Sequence, residues 1–273
     1  MAEQLQVMLS LGFMQRALAV GALVSICASL LGVCLVLKRY SMIGDGLSHV
    51  GFGALAVATA VGWAPLAVAI PVVLVAAFLL LQLSDSGKIK GDAAIAMLST
   101  GSLALGILVL SRSTSMTTDV NNYLFGSILT MRQEDVWLSI ALAFLVLVLF
   151  FGFYRKIFLI IFDETFAKAI GEKTRLYQWL LAFLTALTIV LGMRLMGAML
   201  ISSLIIFPAL SAMRVCKSFR SVCLCAVLIS LVCFLAGMVS SFLFATPTSS
   251  SIVMANIAVF AVMTLVRRIA QKR

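Results

Sequence analysis

Two side chains able to do metal or proton chemistry, Asp45 and His49, stand four residues apart in YSMIGDGLSHVGFGALAVA (residues 40–58), a run that otherwise reads as lipid-soluble helix. His49 is the only histidine of the chain. On a helix, residues i and i+4 share a face with Cβ atoms about 5–6 Å apart, so carboxylate and imidazole stack, and Phe52 and Ala56 continue that face. An aspartate near the centre of a membrane helix costs on the order of 2.5–3.5 kcal/mol, and an ionisable group there is a functional candidate on that ground. Asp45 lies a few residues inside the helix end, where the cost is lower. A carboxylate oxygen beside a neutral imidazole nitrogen suits a borderline divalent ion such as zinc, manganese or ferrous iron. Two ligands do not fill a tetrahedral site, but two copies meeting on a two-fold axis would supply four. The structural alternative is that His49 satisfies a buried polar group and Asp45 caps the second helix.

Gly44, Gly46, Gly51 and Gly53 crowd the same segment. Glycine inside a helix costs up to about 1 kcal/mol relative to alanine, so four of them imply a packing or gating purpose. Small residues let helices approach closely, and they also leave room for a passing ion. Other candidates are weaker. Met193, Met196 and Met199 recur at helical spacing, but methionines in an apolar chain usually fill core gaps. Asp92 reads as the N-cap of a fourth span. Ser202 and Ser203, ahead of Pro208, fit a broken helix lining a pathway, or hydroxyls bonded back to their own backbone.

The elements that must carry these residues follow from composition. The chain has 273 residues, 63% hydrophobic and 11% charged, with mean hydropathy +1.18. Soluble domains run about 25% charged, so this is an integral membrane protein. No long polar stretch interrupts the apolar runs, and residues 1–273 read as a single all-α transmembrane domain. A crossing helix needs about 20 apolar residues. Nine segments come close: 14–37, 42–62, 65–83, 93–111, 135–154, 176–193, 196–213, 219–244 and 251–266. Eight spans with one broken or re-entrant segment is the alternative count, and 121–131 reads as a short interfacial helix. With the C-terminus inside and nine spans, sixteen of the twenty Lys and Arg fall on the cytoplasmic side, which favours an outside N-terminus. No cleavable signal peptide is expected, because the N-terminus lacks a basic n-region. The six cysteines lie in or beside apolar segments without C-x-x-C metal spacing, as small core residues do. The net charge of +10 is topological, and no basic face carries the interleaved aromatics that nucleic acid needs.

No soluble catalytic domain fits between the spans, and the chain has no G-x-x-x-x-G-K-[ST] nucleotide loop. The loop IFDETFAKAIGEKTR (161–175) has physical content of its own. Asp163 caps a helix of about two turns, Glu164 favours its positive end, Phe162, Phe166, Ala167 and Ile170 form an apolar stripe, and Gly171 ends it in a left-handed cap. Such a helix fits a groove in a partner, or lies on the membrane surface.

Residues 12–58, from GFMQRALAV through MIGDGLSHVGFGALAVA, resemble the opening of the membrane permease subunits of the zinc/manganese/iron family of ABC importers. The resemblance continues in order through GDAAIAMLSTGSLALGILVLS (91–111), NNYLFGSILTMRQEDVW (121–137) and 162–212. It implies a polytopic permease fold and a homodimer in the bacterial cytoplasmic membrane. A cytoplasmic ATP-binding subunit would drive it and an extracytoplasmic metal-binding protein would feed it. It carries the family's metal-path acid and histidine onto Asp45 and His49. It makes 161–175 the coupling helix, with Asp163, Glu164, Phe166, Ala169 and Gly171 facing the ATPase. The transported metal is cargo, and no permanently bound cofactor is expected. Val50 replaces a common alanine, and Ser249 or Ser250 stands where glycine is common in the last turn. The form MIGDGLSHVGFGALA points to the zinc branch, with manganese or iron as alternatives.

Two other classes of function would draw on the same residues. An ion-coupled secondary carrier would use Asp45 and His49 as a proton relay without any ATPase. An intramembrane aspartyl protease needs a second membrane aspartate, and the others lie in loops or at span ends; no H-E-x-x-H motif is present either.

Overall fold

Apolar runs of this length become helices because hydrocarbon offers no partner to backbone N–H and C=O groups, which must then pair within the segment. The computed structural model describes residues 10–85, 91–112 and 133–271. Those residues form eleven helices: α1 (Gly12–Leu37), α2 (Ile43–Val61), α3 (Pro65–Asp85), α4 (Gly91–Leu110), α5 (Gln133–Gly152), α6 (Tyr154–Phe162), α7 (Glu164–Ala169), α8 (Thr174–Met196), α9 (Ala198–Val215), α10 (Phe219–Phe244) and α11 (Thr248–Gln271). Each of the nine expected segments coincides with a long helix. The expected interfacial helix at 121–131 lies outside the described residues.

By length and composition, seven helices can cross a membrane, and an eighth crossing arises if α5 and α6 count as one bent span. α2 is not among them, so the count of nine crossings lacks this support. Its deficit comes from Asp45, His49 and the glycines. Its length does not exclude a crossing: nineteen residues at 1.5 Å each span roughly 28 Å, close to the thickness of the hydrocarbon core.

α1 is the hub. It packs against α5, α8, α9 and α10, and its buried face includes Val24, Ala28, Leu31 and Cys34. A hydrogen bond between Ser25 and Ser230 (3.0 Å) joins α1 to α10 in the interior. α2 lies against α3, α4, α8 and α9. Its close approach to α4 depends on glycine: a Cβ on Gly53 would stand 2.6 Å from the Ser102 carbonyl oxygen, and one on Gly46 would stand 2.5 Å from Ile95. Gly44 and Gly51 likewise pack against Ile205 and Met193, so these glycines serve helix packing. All six cysteines are free, and Cys27, Cys34, Cys223 and Cys233 are buried core residues.

Three local features differ from expectation. α5 and α6 meet at 67°, because the chain turns at Phe153 and continues as a short amphipathic helix with Ile157 and Ile160 buried. Asp92 lies inside the first turn of α4. α9 is unbroken through Pro208, and the chain breaks at Gly197 instead, where φ is +87°.

Candidate metal path and partner-facing helix

Asp45 occupies the first turn of α2, where the positive helix end favours a carboxylate. It does not cap the helix; Met42 is the N-cap residue and no side chain bonds there. His49 follows one turn later. The gap between His49 Nε2 and Asp45 Oδ2 is 3.7 Å, so the groups are neighbours without a hydrogen bond between them. His49 Nδ1 is buried with no hydrogen-bond partner among the described residues. The purely structural role for the imidazole therefore finds no bond to rest on. Leaving a buried nitrogen unpaired costs about 1–3 kcal/mol; a turned ring would recover it, whereas a cation held between Asp45 and Nε2 would leave Nδ1 as it is.

The side chains of Asp45 and His49 are 42% and 23% exposed, respectively. The opening is local to the first two turns of α2, since every residue from Val50 to Ala56 is buried, Phe52 and Ala56 fully so. The face expected from spacing is thus split: the polar pair looks out, and Phe52 packs inward over Gly106 of α4. From α9, Ser202 Oγ reaches Asp45 Oδ1 at 3.4 Å while also bonding to the Ala198 carbonyl at 3.1 Å. One hydroxyl hydrogen serves both acceptors, so the carboxylate is oriented loosely. Among the described residues no three of His, Cys, Asp and Glu gather into a metal cage. Met193 and Met196 are buried and Met199 is half exposed, so the methionines form no common lining.

The loop at 161–175 is built as its residues predict, with one change. Asp163 caps α7, its Oδ1 accepting the Phe166 N–H at 2.8 Å and the Thr165 hydroxyl at 2.7 Å. These bonds hold its carboxyl below the usual carboxylate range. Gly171 takes φ +83° just past the helix end. Phe162 ends α6 instead of joining α7, and Ala167 turns inward, leaving Phe162, Phe166 and Ile170 each exposed. Partial burial pushes the Glu164 carboxyl up, but hydrogen bonds and charge from Lys168 and Lys38 outweigh it and hold the group low. Glu164 bonds Lys168 at 2.8 Å and Lys38 at 3.4 Å. The sequence reading missed Lys38, because nothing local signals a contact across 126 residues.

Residues 10–267 match the ABC 3 transport family. The chain belongs to that family. This ABC 3 chain is 31% identical to the manganese import system permease protein ScaB of Streptococcus gordonii over 92% of its own length and 90% of the relative's. It is 26% identical to the manganese transport system membrane protein MntC of Halalkalibacterium halodurans, over 93% of itself and 87% of the relative. The fold is that of a chain in the structure of PsaBC from Streptococcus pneumoniae in complex with Fab, with TM-score 0.86, 29% identity and coverage of 96% and 94%. The ABC 3 chain is therefore a multi-pass membrane transporter subunit and not an enzyme.

Proposed function

We propose that this chain is the membrane permease of an ATP-driven importer for a divalent transition metal, with Asp45 and His49 on the path of the ion. The observation that carries the reading is the outward-facing pair at 3.7 Å, unbonded to each other and loosely held by Ser202. Two ligands that open on the surface of one chain suit a site completed by a second copy on a two-fold axis. Incomplete coordination also suits transit, since a tightly caged ion does not leave.

The cargo is manganese in preference to zinc. The zinc preference read from MIGDGLSHVGFGALA finds no support among the relatives, two of which carry manganese in their names. A carboxylate with one imidazole serves manganese well, since carboxylate and water are its common ligands. The chain acts as a homodimer in the bacterial cytoplasmic membrane, with nine crossings, the N-terminus outside and the C-terminus inside, as the basic residues favour. An extracytoplasmic binding protein delivers the ion. The 161–175 segment meets a cytoplasmic ATP-binding subunit through Asp163, Glu164, Phe166, Ala169 and Gly171, and no resident cofactor is required.

Uptake of radioactive manganese into cells carrying Asp45→Ala or His49→Ala tests the reading, with co-purification of the ATP-binding subunit as the assembly control. Uptake should vanish in both variants while the complex remains. Undiminished uptake in both would remove the pair from the path.

A further inference from the structure

The elbow between α5 and α6 shelters a cleft that the metal path and the partner-facing helix do not use. Its volume is about 650 Å³, and its walls are Ile26 and Leu30 of α1, Phe150 and Phe151 of α5, and Leu224 and Val227 of α10. Phe151 and Leu224 are 62% and 68% exposed, so the cleft opens away from the bundle, where a membrane-spanning chain meets lipid. Tyr154, Arg155 and Arg220 line this cleft and also an adjoining one of about 310 Å³ that includes Phe158, Ser218 and Phe219.

The charge there is one-sided. Among the described residues, neither Arg155 nor Arg220 has a carboxylate within ion-pair distance, whereas Lys156, the third cation of the cleft, is paired with Glu172. Arg155 is the second residue of α6 and Arg220 the second of α10, so two positive helix ends add to two guanidiniums. Guanidinium groups match phosphate oxygens in a planar, bidentate geometry. α6 leaves α5 at 67° and is amphipathic, as a helix does when it passes from the hydrocarbon to run along the interface. Basic pockets between membrane helices at that depth suit anionic lipid headgroups.

We infer that this cleft binds one anionic glycerophospholipid, its phosphate between Arg155 and Arg220 and an acyl chain against Phe150, Phe151 and Leu224. The bound lipid braces the elbow from which α6 runs to Asp163 and α7. The inference rests on the proposed function only for the leaflet concerned, and its test reads lipid occupancy without transport.

The full chain, exchanged into micelles holding equal amounts of phosphatidylglycerol and phosphatidylcholine, is examined by native mass spectrometry. One phosphatidylglycerol per chain should survive activation that strips phosphatidylcholine. Arg155→Ala with Arg220→Ala should weaken retention by about fivefold per cation, or roughly 25-fold for the pair, while Arg155→Lys with Arg220→Lys keeps most of it. Leu224→Trp, which fills the cleft and leaves both guanidiniums, should also release the lipid, and it serves alone if the double alanine variant does not fold. Equal retention of the two lipids, unchanged retention in the double alanine variant, or full retention in Leu224→Trp would each overturn the assignment. In the last case the guanidiniums would be holding a phosphate group without an acyl chain in the cleft.

Discussion

Lys38 Nζ stands 3.4 Å from Glu164 Oε2, and the other oxygen of that carboxylate takes Lys168 Nζ at 2.8 Å. Lys38 closes α1 and opens the loop that delivers the chain to α2, whose first turn carries Asp45; Glu164 opens α7. The contact thus ties the start of α7 to the segment that leads into α2, and on the proposed function a displacement of α7 would be passed along it.

The pair is part-buried, with the Lys38 side chain 12% and the Glu164 side chain 36% exposed, so it contributes on the order of 1 kcal/mol, and its loss should lower the thermal midpoint by a few degrees at most. Its effect belongs to coupling. Lys38→Ala and Glu164→Gln should each lower metal uptake several-fold while ATP hydrolysis by the partner subunit persists. The double variant should be no worse than either single one, because both break the same contact. Additive losses in a transport and ATPase assay on proteoliposomes would show that the two residues act separately.

The α2–α4 contact gives a stability prediction with a direction. A side chain at Gly53 meets the Ser102 backbone carbonyl at 2.6 Å, and backbone does not swing aside as a flexible side chain does. Gly53→Val should destabilise the chain by about 1–3 kcal/mol, the range of overpacked cores. Gly101→Ala is the comparison, since nothing lies within 4 Å of its added Cβ. Thermal unfolding in detergent should show a lowered midpoint for the first variant and an unchanged or raised one for the second.

The acidic residues of α7 predict how that helix responds to pH. Asp163 and Glu164 are both held below their ordinary values in the fold. A depressed folded value gives stability that is present above the unfolded value, near 4 for such groups, and is lost as pH falls through the folded one. Hydrogen exchange at residues 161–175 should rise as pH is lowered below about 4, after correction for the intrinsic rate. Asp163→Asn, which keeps an oxygen for the cap, should flatten the dependence. An unaltered pH profile in that variant would show that the cap does not control the helix.

Most of the helical frame was legible because a membrane imposes one length scale and one backbone solution. Nine apolar segments became nine long helices within a few residues. The cap at Asp163 and the left-handed Gly171 were equally legible, being local chemistry. The turn at Phe153 was not, because an aromatic and aliphatic run continues through it and only the tertiary contact of Tyr154 and Phe158 with Phe219 marks α6 as a separate helix. Spacing placed Asp45 and His49 together but could not say which side of α2 the neighbours would cover. Gly106 decides that, by admitting Phe52 and leaving the polar pair open. For Ser202, the sequence offers a pathway lining or a bond back to its own helix; the bond to Ala198 is local, while the contact with Asp45, 157 residues away, needs the fold.

The open pair also fixes a stoichiometry. If a second copy completes the coordination, the purified permease should bind one manganese ion per two chains, read by metal analysis after gel filtration. Asp45→Ala should abolish that binding. Ser202→Ala removes only the hydroxyl that reaches Oδ1, and because that contact is long and shared with the Ala198 carbonyl, the loss in metal affinity should fall at the low end of the about 10–100-fold range of orienting groups. One ion per chain would show that each copy completes its own site, and an unchanged affinity in Ser202→Ala would show that the 3.4 Å contact does not orient the carboxylate.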